Sequence, residues 1–268
     1  MPSGLLRFDV GTIRCTVLSD GYFSNPAQSF FPEAAANEIP QEQIVSPYTC
    51  LLVQTGTRVV LVDTGAGAAS RTSGAMIPRL ALEGVHPRDV NIVILTHAHP
   101  DHVGGALDTV GRPTFPNACY CIAELEYEFW TGVRAGASAP RDTLAALRPK
   151  LDLIEGEAEI APGVRVIPAA GHTPGHLAVA VSSGADSLLN LGDAATHPLH
   201  LRHPEWRNGF DIDPDRALVT RRRLLDMAAA QNMRVMAFHF PFPSVGRIEA
   251  REPDGWEWMP GWPSATGD

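Results

Sequence analysis

The sequence predicts an α/β chain built from two β-sheets with helices on the outside. Three observations lead there. Short apolar, β-branched runs alternate with helical patterns along the chain. An order of hairpin, aspartate, helix, strand and histidine occurs twice. The strand Asn91-Ile92-Val93-Ile94-Leu95 runs directly into Thr96-His97-Ala98-His99-Pro100-Asp101-His102, and strand ends are where such sheets assemble their sites.

The elements follow in order. Ile13, Cys15 and Val17 alternate with more polar neighbours, which predicts a strand. Leu51-Leu52-Val53 and Val59-Val60-Leu61-Val62 flank the turn signal Gln54-Thr55-Gly56-Thr57, so they form a hairpin ending in Asp63-Thr64-Gly65. A short helix spans Ile77 to Glu83, with Gly84 as its stop. Further helices cover Ala123 to Trp130 and Asp142 to Lys150, around a loop at Ala135 to Pro140. A strand at Val164 to Ile167 precedes Gly171-His172-Thr173-Pro174-Gly175-His176. The second hairpin, Leu177 to Val181 and Ser187 to Leu191, ends in Gly192-Asp193. A helix over Pro214 to Ala230, capped by Asp213, leads to a last strand, Arg234 to Phe238, and then His239. The tail from Pro241 is rich in Pro, Gly and Trp and reads as irregular. One domain, 1–268, accounts for all of this, with two pseudo-repeated halves at about 1–110 and 160–245.

Composition narrows the partners. A net charge of −9 disfavours nucleic acid and anionic membranes, which need a basic face. The one dense basic run, Arg221-Arg222-Arg223, lies in a helix and reads as a solvated face. No membrane span and no signal peptide is visible, which places the protein in the cytoplasm. Cys119 and Cys121 sit two apart in a strand and read, with Cys15 and Cys50, as small buried hydrophobes. A small molecule is the expected partner, and a homodimer is compatible with the chain.

The chemistry starts at the histidine cluster. Three imidazoles and a carboxylate at one strand end have no packing use, whereas their nitrogen and oxygen donors suit zinc or a similar divalent ion. Pro100 stops a helix from running through the cluster, so His97 and His99 can serve one ion and Asp101 and His102 a neighbouring one. Gly104-Gly105 lets the backbone turn closely past. His172, Asp193 and His239, at later strand ends, are the candidates to complete the coordination.

These residues, from Leu18-Ser19-Asp20-Gly21 through Val62-Asp63-Thr64-Gly65, the His97 cluster, the Gly171–His176 loop, Gly192-Asp193 and His239, resemble the metallo-β-lactamase-fold hydrolases. The resemblance implies an αβ/βα four-layer sandwich of two mixed sheets packed face to face, with metals at one sheet edge. It implies that His97, His99 and His172 hold one metal, that Asp101, His102 and His239 hold the second, and that Asp193 bridges both. Asp63 and His176 resemble positions that orient ligands from behind. Two divalent cations are expected, zinc first and manganese, iron or cobalt as alternatives, about 3.5–4 Å apart. A hydroxide between them would attack an ester, with Asp101 and Asp193 as the catalytic carboxylates and Asp193 placing the nucleophile.

Within the family, Asp193 stands where lactamases use a cysteine site, and His99 stands where diiron redox members carry a glutamate. Glyoxalase II shares Gly-His-Thr-Pro-Gly-His but adds a helical domain, and only 29 residues follow His239 here. The chain is therefore similar to the branch of N-acyl-homoserine lactone lactonases and methyl parathion hydrolase, which implies a lactone, carboxylic ester or organophosphate ester as substrate. A glyoxalase II-like thioesterase, a persulfide dioxygenase and a non-catalytic regulatory module are the competing readings. The lactonases carry a tyrosine near the aspartate-bearing strand; this chain has none beyond Tyr127. His197, His200 and His203 occupy that region and read as exposed. Phe30, Phe31, Trp206, Phe210, Phe240 and Phe242 are the candidates for an apolar pocket wall.

Overall fold

The computed structural model describes residues 4–34, 38–39, 42–133, 136 and 138–261. Each half of the molecule contributes one seven-stranded mixed sheet. The first runs in chain order: β1 (Leu5–Val10), β2 (Ile13–Pro26), β3 (Gln43–Thr55), β4 (Arg58–Val62), β5 (Ile92–Ile94), β6 (Cys119–Ala123) and β7 (Leu151–Ile154). The second holds β8 (Ala158–Ala161), β9 (Val164–Pro168), β10 (Leu177–Ser183), β11 (Asp186–Asn190), β12 (Arg234–Met236), β13 (Val245–Ala250) and β14 (Trp256–Pro260), again in order.

The expected hairpins are β3–β4 and β10–β11. Each returns through a helix to a parallel neighbour: α2 (Met76–Leu82) leads to β5 beside β4, and α7 (Pro214–Ala230) leads to β12 beside β11. A parallel crossover leaves both strands pointing the same way, so Asp63, His97, Asp193 and His239 all follow strand C-terminal ends. The remaining helices are α1 (Ala27–Phe30), α3 (Pro100–Val103), α4 (Glu124–Thr131), α5 (Ala139–Leu147) and α6 (Leu199–Arg202).

Side-chain alternation builds the layers. On β3, Leu51 and Val53 face the second sheet, while Cys50 and Leu52 face α2 and α5. The inter-sheet core joins Val17, Leu51 and Val62 to Val166, Val179 and Leu188. On the outer face of the second sheet, Ala178, Leu189 and Val235 pack against Leu224, Leu225 and Ala228 of α7. The order is helices, sheet, sheet, helices. Each such aliphatic side chain removed from water contributes about 1.5–3 kcal/mol, and the strand residues are apolar on both faces because both are covered.

Several sequence expectations shift. As far as Gly261 the tail is not irregular: β13 and β14 extend the second sheet, and Trp256 and Ile248 complete its outer core; residues 262–268 lie outside the described residues. Its Pro and Gly content hid the short alternation in Val245–Ala250. The loop expected at Ala135 to Pro140 gives way to α5 already at Ala139, and Ala135 and Ala137 lie outside the described residues. Cys121 is buried as expected, but Cys119 is exposed, because it opens β6 at the rim of the sheet. Arg222 and Arg223 face solvent, but Arg221 is almost fully buried, since it falls on the inward face of α7 with Ala217, Leu224 and Ala228. Among the described residues, no helix is long and apolar enough to cross a membrane.

Candidate metal centre

The cluster loop leaves β5 and is pinned before it is used. Asp63, in a left-handed conformation (φ 60°) at the end of β4, accepts the Thr96 backbone N–H at 2.8 Å and the Thr96 hydroxyl. The loop then passes within touching distance of the next one: a Cβ on Gly105 would lie 2.2 Å from the Thr64 carbonyl oxygen. The expected close passage is therefore real, and only glycine fits there.

Three imidazole nitrogens converge. His97 Nε2 lies 3.0 Å from His99 Nδ1, which lies 3.0 Å from His172 Nε2. Asp101, His102 and His239 form a second group beside them, with His239 Nε2 3.3 Å from Asp101 Oδ2. Asp193 lies between the groups. Its Oδ2 is 3.3 Å from His172 Nε2 and 3.2 Å from His239 Nε2, and its Oδ1 is 3.4 Å from His102 Nε2. All seven sequence-predicted residues thus meet at one place, although they span 143 positions between His97 and His239, counted inclusively.

The donors fit a pair of divalent cations. Imidazole nitrogens 3.0 Å apart cannot all be protonated, so their lone pairs converge on one point. His102 Nε2 and Asp193 Oδ1 are fully buried, face each other at 3.4 Å and find no hydrogen-bond partner among the described residues. A buried polar atom without a partner is costly, and a cation removes that cost for all of them at once. Charge is distributed to match. Burial holds His97 well below its usual range, with His102, His99 and His172 adding to it, and burial with His172 pushes His99 down to about 3. Burial also opposes protonation of His239, but Asp193 and Asp101 outweigh it and raise its pKa to about 9. Burial disfavours the charged Asp193 in turn, yet His239 and His102 hold it well below the carboxylate range. His97 and His99 are thus held as neutral imidazoles, while the side of His239 demands positive charge.

Behind the donors stands a second ring of contacts. His102 Nδ1–H donates to Asp63 Oδ2 at 2.9 Å, and His239 Nδ1–H to the Pro47 carbonyl at 2.9 Å. Each bond fixes a tautomer and turns Nε2 toward the centre. His176 acts differently: its Nε2 accepts the Asp193 backbone N–H at 2.9 Å and so sets the position of that carboxylate. Gly192 makes the approach possible, because a Cβ there would sit 2.7 Å from His176 Nε2.

Three positioning residues escaped the sequence reading. Asp211 Oδ1 accepts from His172 Nδ1–H at 2.8 Å, and the buried Arg221 guanidinium lies 3.7 Å from its Oδ2. Glu126, buried in the first turn of α4, accepts from the Ala98 N–H (2.9 Å), the Gly175 N–H (3.0 Å) and the Trp130 indole N–H (2.7 Å). One carboxylate therefore ties together the two loops that carry His97, His99 and His172. A carboxylate at i and a tryptophan at i+4 on a helix gave no local signal of this.

A cavity of about 360 Å³ opens onto the donors. Of the expected wall residues, Phe30 and Phe210 line it, joined by Phe23 and Tyr48. Phe31 and Trp206 pack behind Phe30 in the cluster they share with it, Phe240 is core, and Phe242 packs against the inter-sheet core. His197, His200 and His203 are not an exposed set: His200 is fully buried on α6, His197 is half-buried, and His203 stacks on Trp206 at 4.0 Å.

Comparison with known proteins places this geometry. A family model described as the metallo-beta-lactamase superfamily matches residues 44–239. An N-acyl homoserine lactonase of Bacillus sp is 26% identical over 244 residues, covering 81% of this chain and 92% of that protein. A probable metallo-hydrolase of Mycobacterium tuberculosis is 31% identical over 189 residues, covering 55% of this chain and 56% of that one. Among solved structures, AidC, a dizinc quorum-quenching lactonase in complex with a product, superposes with a TM-score of 0.89 at 28% identity, covering 97% of this chain and 98% of its own. The hydrolase AbOPH shares the fold, with a TM-score of 0.88 at 24% identity over 98% of this chain and 99% of its own. With the matched segment running from β3 to the last histidine of the cluster, the chain belongs to the metallo-beta-lactamase superfamily.

Proposed function

We propose that this protein is a binuclear metal-dependent hydrolase that opens lactone esters, with N-acyl homoserine lactones as its substrate class. The observation that carries the reading is Asp193, whose one carboxylate oxygen stands 3.3 Å from His172 and 3.2 Å from His239 and so joins the two donor groups. His97, His99 and His172 would hold one cation, and Asp101, His102 and His239 the other, with zinc the ion best suited to this nitrogen and oxygen set. When bound, such a pair supplies Lewis acidity, activating water and polarising an ester carbonyl.

The chain's own residues do the rest. Asp193, its two oxygens facing His102, His172 and His239, would place the attacking water between the donor groups. Phe23, Phe30 and Phe210 offer an apolar wall for an acyl chain, and Phe23 and Tyr48 pack edge-on against His239 at 5.4 and 6.0 Å, which fixes that ring. The lactonase relatives match over nearly their whole length, which supports the lactone over other esters. Aryl esters and phosphotriesters offer comparable electrophiles and are secondary substrates in this reading. Net charge and the apolar cavity favour a small-molecule partner.

The test is a hydrolysis panel on zinc-loaded protein: N-acyl homoserine lactones of several chain lengths, aryl esters, phosphotriesters and glutathione thioesters. Lactone turnover is expected, lost on chelation and lost in Asp193→Ala with the fold retained. Absence of lactone turnover by metal-replete protein, or full activity of Asp193→Ala, would sink the reading.

A further inference from the structure

Two cysteines and an aspartate stand together at the rim of the first sheet. Cys119 opens β6 and Cys121 lies two residues on, so both side chains leave the same face of the strand. β7 runs parallel beside β6 and pairs Asp152 with Cys121. The two sulfurs and a carboxylate oxygen of Asp152 all lie within 4.8 Å of one another. Cys119 and Asp152 are exposed, and Cys121 is buried. The place is remote from the histidine centre. β5 and β6 are parallel and Cys119 pairs with Ile92, so the cysteines begin at the end of the sheet opposite to the one His97 leaves from.

These three groups have no cation paired with them. Among the described residues the Asp152 carboxylate makes no hydrogen bond and no ion pair. Lys150, whose charge reaches Cys119, donates its ammonium proton to the Pro116 carbonyl at 2.6 Å. Burial first, and then Asp152, holds the Cys119 thiol above its usual range. Burial, with Cys119 and Asp152 adding to it, pushes Cys121 up to about 12. Both thiols therefore stay protonated at neutral pH, which makes them poor nucleophiles and slow to oxidise. A metal ion changes this, because a coordinating thiol gives up its proton outright.

We infer that Cys119, Cys121 and Asp152 form a second, separate metal site, for a thiophilic cation of the zinc and cadmium class. Two thiolates and a carboxylate supply three ligands, and water completes a tetrahedron. Zinc–thiolate bonds of about 2.3 Å set neighbouring ligand atoms roughly 3.8 Å apart, so a closure of about 1 Å completes the shell. Two of the three side chains are exposed and free to make that adjustment. Binding moves two protons from sulfur to solvent and transfers no electron. The donor types separate this site from the centre at Asp193, which offers only nitrogen and oxygen. Thiolate selects the softer cation. Occupancy here does not depend on the proposed hydrolase function.

Cobalt(II) reads the difference, because thiolate-to-cobalt charge transfer absorbs strongly in the near ultraviolet and nitrogen and oxygen ligands give no such band. The metal-free full chain, reduced with a phosphine under argon, is titrated with cobalt(II) as wild type, Cys119→Ser, Asp152→Asn and Asp193→Ala. Bound metal and thermal midpoint are measured on each. Wild type should develop the band. Cys119→Ser should lose it and bind one ion fewer per chain. Asp152→Asn should need at least about tenfold more cobalt to reach half the band, since even an outer partner of a ligand is worth that much. Asp193→Ala should keep the band while losing cobalt from the histidine centre. No band in wild type overturns the inference. So does an undiminished band in Cys119→Ser, which would put the sulfur at Cys15 or Cys50, and so does loss of the band in Asp193→Ala at an unchanged thermal midpoint. An Asp152→Asn titration that matches wild type overturns the three-ligand site.

Discussion

Replacing Asp211 by Asn perturbs one cation position and spares the other. Asp211 touches the donor set only through His172, whose Nδ1–H it accepts at 2.8 Å. An ionised acceptor makes that bond short and charge-assisted, and it raises the basicity of Nε2 on the far side of the ring. Asn keeps the shape but removes the charge, and it must still present its oxygen to the ring. Loss of such an outer partner weakens metal binding by about 10–100-fold, which is about 1.4–2.8 kcal/mol. There is a second cost. Asp211 is the only carboxylate within 4 Å of the buried Arg221 guanidinium among the described residues, and burial lowers that arginine's pKa only to about 10, so it stays charged at neutral pH. Breaking a buried pair costs about 3–5 kcal/mol. The low end applies here, because Arg221 keeps hydrogen bonds to the carbonyls of Ala194 (2.8 Å) and Trp206 (2.7 Å).

The two costs separate in the assay. Folding stability is read by denaturant unfolding of the metal-free protein, and affinity by competition with a chromophoric chelator that resolves both ions. Asp211→Asn should weaken the ion at His97, His99 and His172. Asp63→Asn keeps an oxygen for the Thr96 N–H but removes the charge facing His102 Nδ1 at 2.9 Å, so it should weaken the ion at Asp101, His102 and His239. If both variants weaken the same binding step, or Asp211→Asn weakens neither, the assignment of one outer carboxylate to each group is wrong.

Two further outcomes follow from the site. Phe210, partly exposed at the cavity and edge-on to Phe30 at 5.4 Å, should set chain-length preference: Phe210→Ala should lower kcat/KM for a long-chain lactone by about tenfold, the worth of burying a few methylenes, while the shortest chain changes little. Steady-state kinetics across chain lengths check it, and a uniform loss would count against the wall. Burial pushes His197 down to about 4 from an unfolded value near 6.5. Between these values the unfolded chain binds the proton first, so this residue costs stability as pH falls through the window and nothing above it. Unfolding midpoints at pH 5 and pH 7.5 should lie closer together in His197→Gln than in wild type, and identical gaps would refute the assignment.

How much of this was legible in the chain depends on the range of the signal. The hairpins, α7 with its Asp213 cap accepting the Arg216 N–H at 3.1 Å, and the strand before the histidines are written in local periodicity and turn chemistry. The donor residues were legible because their types are otherwise hard to explain at strand ends. The partners behind them were not. Glu126 and Asp211 carry no local mark, since their roles are set by loops 28 to 49 residues away along the chain for Glu126 and 39 for Asp211. Arg221 was misread because a run of three arginines looks solvated until the helix phase is known. Tyr48 lay too far from Asp193 in sequence to be connected with the cavity.

By itself the sequence determined the layered α/β architecture, the two hairpin–helix–strand units and the seven candidate ligands, because periodicity and residue chemistry are properties of short segments. Only the tertiary structure decided that Asp193 stands between the two donor groups, that Asp211 and Glu126 stand behind them, and that β13 and β14 extend the second sheet. Those facts depend on the parallel crossovers that bring strand ends from both halves to one edge, and on which helix face turns inward. A linear chain encodes such distances only through the sum of all its contacts.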